Sequence, residues 1–212
     1  MTEKSEARRG EYFVLMPDTR RGGRGHGVVF SNVERLLHPP RRILRPAEGG
    51  FPVLTEKPQL RLEPGVGDPP EDLEGGMSGY WLVSERLKDG FESVDPDGFE
   101  FVECEYILQD GSVGPRYFLC DITRKIDALD EGVSKLNIKR SDEYPGGKYY
   151  NLGGGVSLAF RPEAVGDAHV FRTPYSGNVV FSDAKLRAAV IGAGMGQGSA
   201  SSGVWFEDAS DY

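Results

Sequence analysis

The segment SGYWLVSERLKDGFESVDPDGFEFVECEYILQDGSVGPRYFLCDITRKIDALD, residues 78–130, has the densest apolar patterning in the chain, and its reading decides the fold. Tyr80, Val83, Leu87 and Phe91 recur at helical spacing, Ser78 stands at a capping position, and Gly90 falls where a left-handed C-cap is wanted. The spacing predicts a helix of about three turns over 78–89. After the turn sequence Asp95-Pro96-Asp97-Gly98 the period becomes two. Phe99 and Phe101 share one parity while Val102, Cys104, Tyr106 and Leu108 share the other, and this switch predicts a bulge or bend. Asp110-Gly111 separates that run from the aromatic and branched segment Arg116–Ile122, the strongest hairpin signal in the sequence. Pro115 suits an edge or the start of a strand.

Toward the N-terminus, Glu11–Met16 reads as a strand ended by Pro17-Asp18. The run TRRGGRGHG, residues 19–27, lacks the Lys-Ser/Thr of a phosphate-binding loop and holds no aromatic residue to stack a base, so it reads as a connection to the strand Val28–Phe30. Ser31 or Asn32 caps a short helix that must stop at Pro39-Pro40. From there to Glu74 the chain is proline-rich, with extended pieces at Phe51–Leu54 and Gln59–Leu62 and little regular structure expected. Toward the C-terminus, Ile126 and Leu129 suggest one helical turn. Lys148–Leu152 and Val156–Phe160 suggest a hairpin through three glycines, and His169–Arg172 and Asn178–Phe181 two more strands. A helix over 183–191 capped by Ser182 or Asp183, and a strand Val204–Phe206, complete the reading.

A chain of 212 residues, 38% hydrophobic and 27% charged, can bury one substantial core. No apolar run nears the roughly twenty residues of a membrane span, and the opening residues have no signal-peptide core, so a cytoplasmic protein without membrane partners is expected. Cys104 and Cys120, on adjacent strands, are expected as buried thiols. Residues 1–46 hold ten Lys or Arg against five Asp or Glu; with the whole chain at −8, the remainder carries −13. Such a body repels phosphate backbones and draws cationic partners. Arg20, Arg21 and Arg24 are accordingly expected to be dispensable and to confer no nucleic-acid binding.

The run AAVIGAGMGQG is no dinucleotide fingerprint, because Gln197 takes the place of the third glycine and the preceding apolar run reads as a helix. Among the acids, Asp95, Asp97, Glu100, Glu103 and Glu105 gather in a turn and strand. They suit a contact face for a basic partner, the solvated face of a sheet, or, as the alternative, a hydrolase or metal-dependent site at 95–105. Asp127, Asp130 and Glu131 follow and extend the acidic reading. His26, His38 and His169 lack metal-ligand spacing, and neither the serines nor the cysteines match a nucleophile template, so no catalytic residue, metal or cofactor is assigned.

The phrases LVSERLKDGFESV, GFEFVECEYI, RYFLCDI and KIDALDEGVS, with the later HVFRTPYSGNVVFSDAKLRAAV and GVWFED, resemble the immunity proteins of bacterial polymorphic toxin systems, and more narrowly immunity family eleven, formerly a domain of unknown function. The likeness runs from about Met77 to the end and weakly includes YFVLMPD. It implies a cytoplasmic protein, not an enzyme, that binds and neutralises a cognate toxin; the acidic body suits a basic one, for which Asp95, Asp97, Glu103 and Glu105 are the candidate contacts. The expected fold is α+β, one domain with a mostly antiparallel sheet and a few packed helices. Residues 1–76 form an N-terminal strand and meandering segment, and residues 77–212 the family-like core.

Overall fold

The computed structural model describes residues 7–20, 25–37, 39, 41–63, 65–197 and 202–212. In order, the chain forms β1 (Tyr12–Pro17), β2 (Val28–Phe30), α1 (Val33–Leu36), β3 (Gln59–Leu62), β4 (Leu73–Met77), β5 (Tyr80–Ser84), α2 (Glu85–Glu92), β6 (Glu100–Glu103), β7 (Glu105–Ile107) and β8 (Tyr117–Asp121). It continues through β9 (Asn137–Arg140), β10 (Lys148–Asn151), α3 (Pro162–Val165), β11 (Val170–Arg172), β12 (Val180–Asp183), α4 (Ala184–Gly192) and β13 (Val204–Asp208). The class is α+β with mostly antiparallel sheets, as expected. The strands are divided among four sheets, however, where the sequence suggested one. The described residues group into two compact units, one within Met1–Met16, Arg124–Ala189 and Phe206–Tyr212, the other within Pro17–Thr123 and Val190–Trp205.

The second unit contains the hairpin. β6 pairs antiparallel with β8, Phe101 facing Cys120, and the tight turn closes with Gly111 at φ 82° donating to the Leu108 carbonyl. Ile107 faces Val113, so the return strand holds one residue more than the outgoing one, and the outgoing strand breaks at Cys104. At the parity switch itself, Phe101–Val102, the ladder with β8 runs without a bulge, and both faces of the strand carry packed side chains. Beyond the break, β7 turns its outer edge to β3, with which it pairs in parallel in a sheet β2-β3-β7. The proline-rich stretch thus gives the core a strand of its own.

The largest departure from expectation is at Ser78–Asp89. Ser78 (φ 55°) and Gly79 (φ 94°) form the two-residue turn of a β4–β5 hairpin, in which Met77 pairs with Tyr80. A side chain at 79 would press on Arg45, 2.7 Å away. Residues 80–84 are a strand between β4 and β8, and the helix starts only at Glu85, where Ser84 Oγ accepts from the Leu87 amide at 3.3 Å. Tyr80, Leu87 and Phe91 do lie inside, as the spacing required; strand pairing along Tyr80–Ser84 overrides the helical reading because Trp81, Leu82 and Val83 find partners on β8. Gly90 is within α2, not its cap, and a Cβ there would meet Met195 Cε at 3.6 Å.

One face of this sheet, with Tyr80, Leu82, Leu119 and Cys104, packs on Val28, Leu36, Leu44 and Leu60. Cys104 donates its backbone amide to Tyr117, and Cys120 lies an odd number of residues further along β8, so the two buried thiols point to opposite faces and form no disulfide. Asp121 at the end of β8 is entirely buried and accepts from Arg45 Nε at 2.9 Å and from the Gly50 amide at 2.7 Å.

In the first unit, β11-β12-β1-β13 form one sheet, with Val14 opposite Phe181. Phe171, Phe181, Tyr150 and Leu158 fill its core. Asp183 caps α4 through a bond from the Leu186 amide at 2.9 Å, as expected. The glycine-linked hairpin does not form. β10 pairs with β9, while Val156 exchanges backbone bonds with Tyr212, because three glycines supply no cross-strand side-chain pair to hold the alternative. Ile126 and Leu129 are extended, not helical; the Ile126 amide donates to Arg172.

Asp121→Ala strands Arg45 without its carboxylate and is expected to cost about 3–5 kcal/mol. Urea unfolding of the variant measures it, and a loss under about 1 kcal/mol would mean that the pair does not hold this segment.

Candidate functional site

The four acids Asp95, Asp97, Glu103 and Glu105 lie in the second unit, in unlike states. Asp95 is only 5% exposed, its amide donating to Phe91 and its carbonyl accepting from Gly98, so it belongs to the turn scaffold and not to the solvent face. Asp97, on the following 3-10 turn, is exposed. Glu103 receives Lys57 Nζ at 2.8 Å and Arg116 Nε at 3.0 Å, and hydrogen bonds from Lys57 and then Arg116 hold its carboxyl below the usual range. Arg116 also pairs with Glu85. Glu105 is exposed and accepts from Gln59 Nε2 at 2.9 Å. The hairpin therefore presents Glu103, held by two cations, on the edge strand β6 paired with β8, and Glu105 on β7 paired with β3.

The acidity of the chain is concentrated in this unit, which carries 12 Lys and Arg against 19 Asp and Glu; the first unit carries 13 against 14. Asp127, Asp130 and Glu131 fall in the first unit, where cations answer two of them. Glu131 accepts from Lys148, from the Tyr150 hydroxyl at 2.8 Å and from Arg140 at 3.0 Å. Lys148 stands 4.1 Å over the Tyr175 ring, and Arg161 donates to the Asp127 carbonyl. Hydrogen bonds from Lys148 and Tyr150 hold the Glu131 carboxyl at about 2. Burial pushes Tyr150 up to about 12. Burial works against the Lys148 ammonium, but its bond to Glu131 prevails and raises it.

General acid–base chemistry wants groups tuned toward neutrality; these are driven away from it. The same holds for Cys104, whose thiol burial pushes to about 12, far from a nucleophilic thiolate. Both ring nitrogens of His169 are engaged, Nδ1 with Asp183 at 2.7 Å and Nε2 with Lys185 at 3.0 Å. Among the described residues no group of three or more His, Cys, Asp or Glu is placed to hold a metal ion, and no helix is long and apolar enough to cross a membrane. The glycine run after α4 follows a helix, as expected, and its Met195 is buried.

Of the arginine segment, Arg20 is bonded to Asp18 at 2.9 and 3.0 Å and lies over the Trp205 ring, an anchor that the sequence reading missed. Arg21, Arg24 and His38 lie outside the described residues. The polar cluster around Glu131 was also missed as a unit; its signal was the coincidence of Lys148, Tyr150 and Tyr175 with a nearby acid pair, which only pairing of β9 with β10 brings together.

A family model described as immunity protein family (Imm11) matches residues 11–211. No curated protein matches the chain.

Because the Glu131 carboxyl sits near 2 when folded, below about 4.3 when unfolded, its contribution to stability is complete above the unfolded value and is lost as pH falls toward 2. Glu131→Gln should lower the unfolding free energy at pH 7, and the variant and parent should converge as pH approaches 2. Urea titrations across that range check it; a gap that persists unchanged at pH 2 contradicts the ionised pairing.

Proposed function

The chain belongs to the Imm11 immunity protein family, and we propose that it acts in the cytoplasm by binding a cognate bacterial toxin and blocking it without chemistry of its own. The match over residues 11–211 is the observation that carries this reading. The pKa pattern supports it, because the polar clusters hold charges and protons fast instead of passing them on. Neutralisation by binding needs an interface on the order of 1,600 Å² and a slow off-rate.

The excess of carboxylates in the second unit suits a basic toxin domain, since a complementary field speeds encounter and resists polyanions. Asp97, Glu103 and Glu105 are the contacts we propose. They sit on a turn and strands held by pairing with β8 and β3, so little ordering is required on binding. Asp95 supports the turn from within.

With the toxin that co-purifies with the tagged chain, the variant Asp97→Asn, Glu103→Gln, Glu105→Gln should show an association rate lowered about tenfold at low salt, with a flatter salt dependence and near-parental stability. Stopped-flow or biosensor kinetics at two salt concentrations measure this. Identical rates at both would place the contact elsewhere.

A further inference from the structure

In the first unit β9 and β10 form a two-stranded ribbon whose two edges are in different states. Ser141 donates its amide to the Gly147 carbonyl at 3.2 Å, and this fixes the phase of the ladder. Lys139 and Asn137 exchange bonds with Tyr149 and Asn151, while Ile138 and Arg140 stand opposite Tyr150 and Lys148 in the non-bonded pairs. The outer edge of β10 is taken, the Tyr150 amide donating to the Tyr175 carbonyl at 2.7 Å. The outer edge of β9 is open. Among the described residues the amides and carbonyls of Ile138 and Arg140 have no protein partner. Unpaired backbone groups are kept in water, and Asn137, Lys139 and Arg140 are exposed, so this edge is within reach of an incoming chain.

The ribbon is already held in place. Leu136 and Ile138 pack on the core around Tyr150 and Phe171, and Arg140 reaches Glu131. The alternate positions Lys135, Asn137 and Lys139 are left on the exposed face.

Charge then selects the occupant. β9 and β10, NIKR and KYYN, hold three cations and no Asp or Glu, in a chain of net charge −8. Acids return in the turn beyond β9, at Asp142 and Glu143. Glu131 answers Arg140 and Lys148, whereas among the described residues no carboxylate pairs with Lys135 or Lys139. A second copy paired antiparallel through the same edge would set these lysines of both chains on one face, where like charges repel. The lysines that keep such a copy off favour a strand of the opposite sign. A nucleic acid is poorly served, because its phosphates only accept, while the edge offers carbonyls as well as amides.

We propose that the outer edge of β9 receives an extended strand of the toxin with carboxylates at alternate positions, which adds a third strand to the ribbon. The backbone of that strand pairs with Ile138 and Arg140, and its acids meet Lys135 and Lys139. The inference rests on the toxin-binding reading and adds a contact in the first unit to that of the acidic hairpin. One acidic strand is compatible with a basic toxin, since net charge does not fix the sign of each segment.

The test uses the full chain and the toxin that co-purifies with it. Amide exchange followed by NMR should slow about tenfold or more at Ile138 and Arg140 on complex formation, while Lys139, already bonded within the ribbon, changes less. Lys135→Glu combined with Lys139→Glu should raise Kd about tenfold, with the fold intact by circular dichroism. Arg140→Pro removes the outward amide without touching the ladder to β10, and should weaken binding beyond Arg140→Ala, which keeps that amide and loses the Glu131 contact. Tight toxin binding with both amides exchanging as in the free chain, and the lysine variant at parental Kd, overturns this inference and leaves the proposed function standing. A parent chain that binds no toxin overturns both. Protection of the same amides in a toxin-free dimer, seen by light scattering, overturns it in favour of a second copy. Binding of a mixed-sequence oligonucleotide at physiological salt, lost in the lysine variant, overturns it in favour of a nucleic acid.

Discussion

A carboxylate withdrawn wholly from water must be neutralised where it stands, and Asp121 sets that condition for the second unit. Its two oxygens take Arg45 and the Gly50 amide, which fixes a stretch of chain that has almost no regular structure. The same stretch is then tied again: Leu44 donates to Ser78 Oγ, Arg45 to the Ser78 carbonyl, and Tyr80 donates its hydroxyl to Gly50. Phe51 stacks on Tyr80 with ring centroids 4.3 Å apart. The β4–β5 turn, with its left-handed Ser78 and its Gly79 lying under Arg45, is shaped to receive this strap. Asp72 repeats the device on a smaller scale, holding Arg86 and Ser84 at the start of α2.

In the first unit Glu131 does similar work with a more open group. Lys148, Tyr150 and Arg140 converge on it, and the outcome is a set of groups that keep their charge or their proton through the physiological range. Burial and hydrogen bonds within the cluster hold each of these groups in one protonation state.

The part of the fold legible in advance was the part whose signals are local. Asp110-Gly111 between two period-two runs could hardly be other than a hairpin, whereas the parity switch at Phe101–Val102 reflects apolar packing on both faces of an unbroken β6–β8 ladder and not a bulge. Asp183 announced α4 by its capping chemistry. The four acids were legible as a cluster, yet their individual states were not: burial of Asp95 and the neutralisation of Glu103 by Lys57 and Arg116 depend on segments distant in sequence.

By itself, then, the sequence determined an α+β chain with a mostly antiparallel framework, the central hairpin, the final helix and the family to which its core phrases belong. Tertiary structure alone decided which strands share a sheet, that Tyr80–Ser84 is a strand, that β3 joins β7 in parallel, and that Lys148 meets Glu131. The reason is physical. Periodicity and turn residues fix which side chains face inward, but Tyr80, Val83, Leu87 and Phe91 face inward equally well from a helix or from a strand followed by a helix. The choice falls to backbone hydrogen bonds with β8, whose partners no local pattern can name.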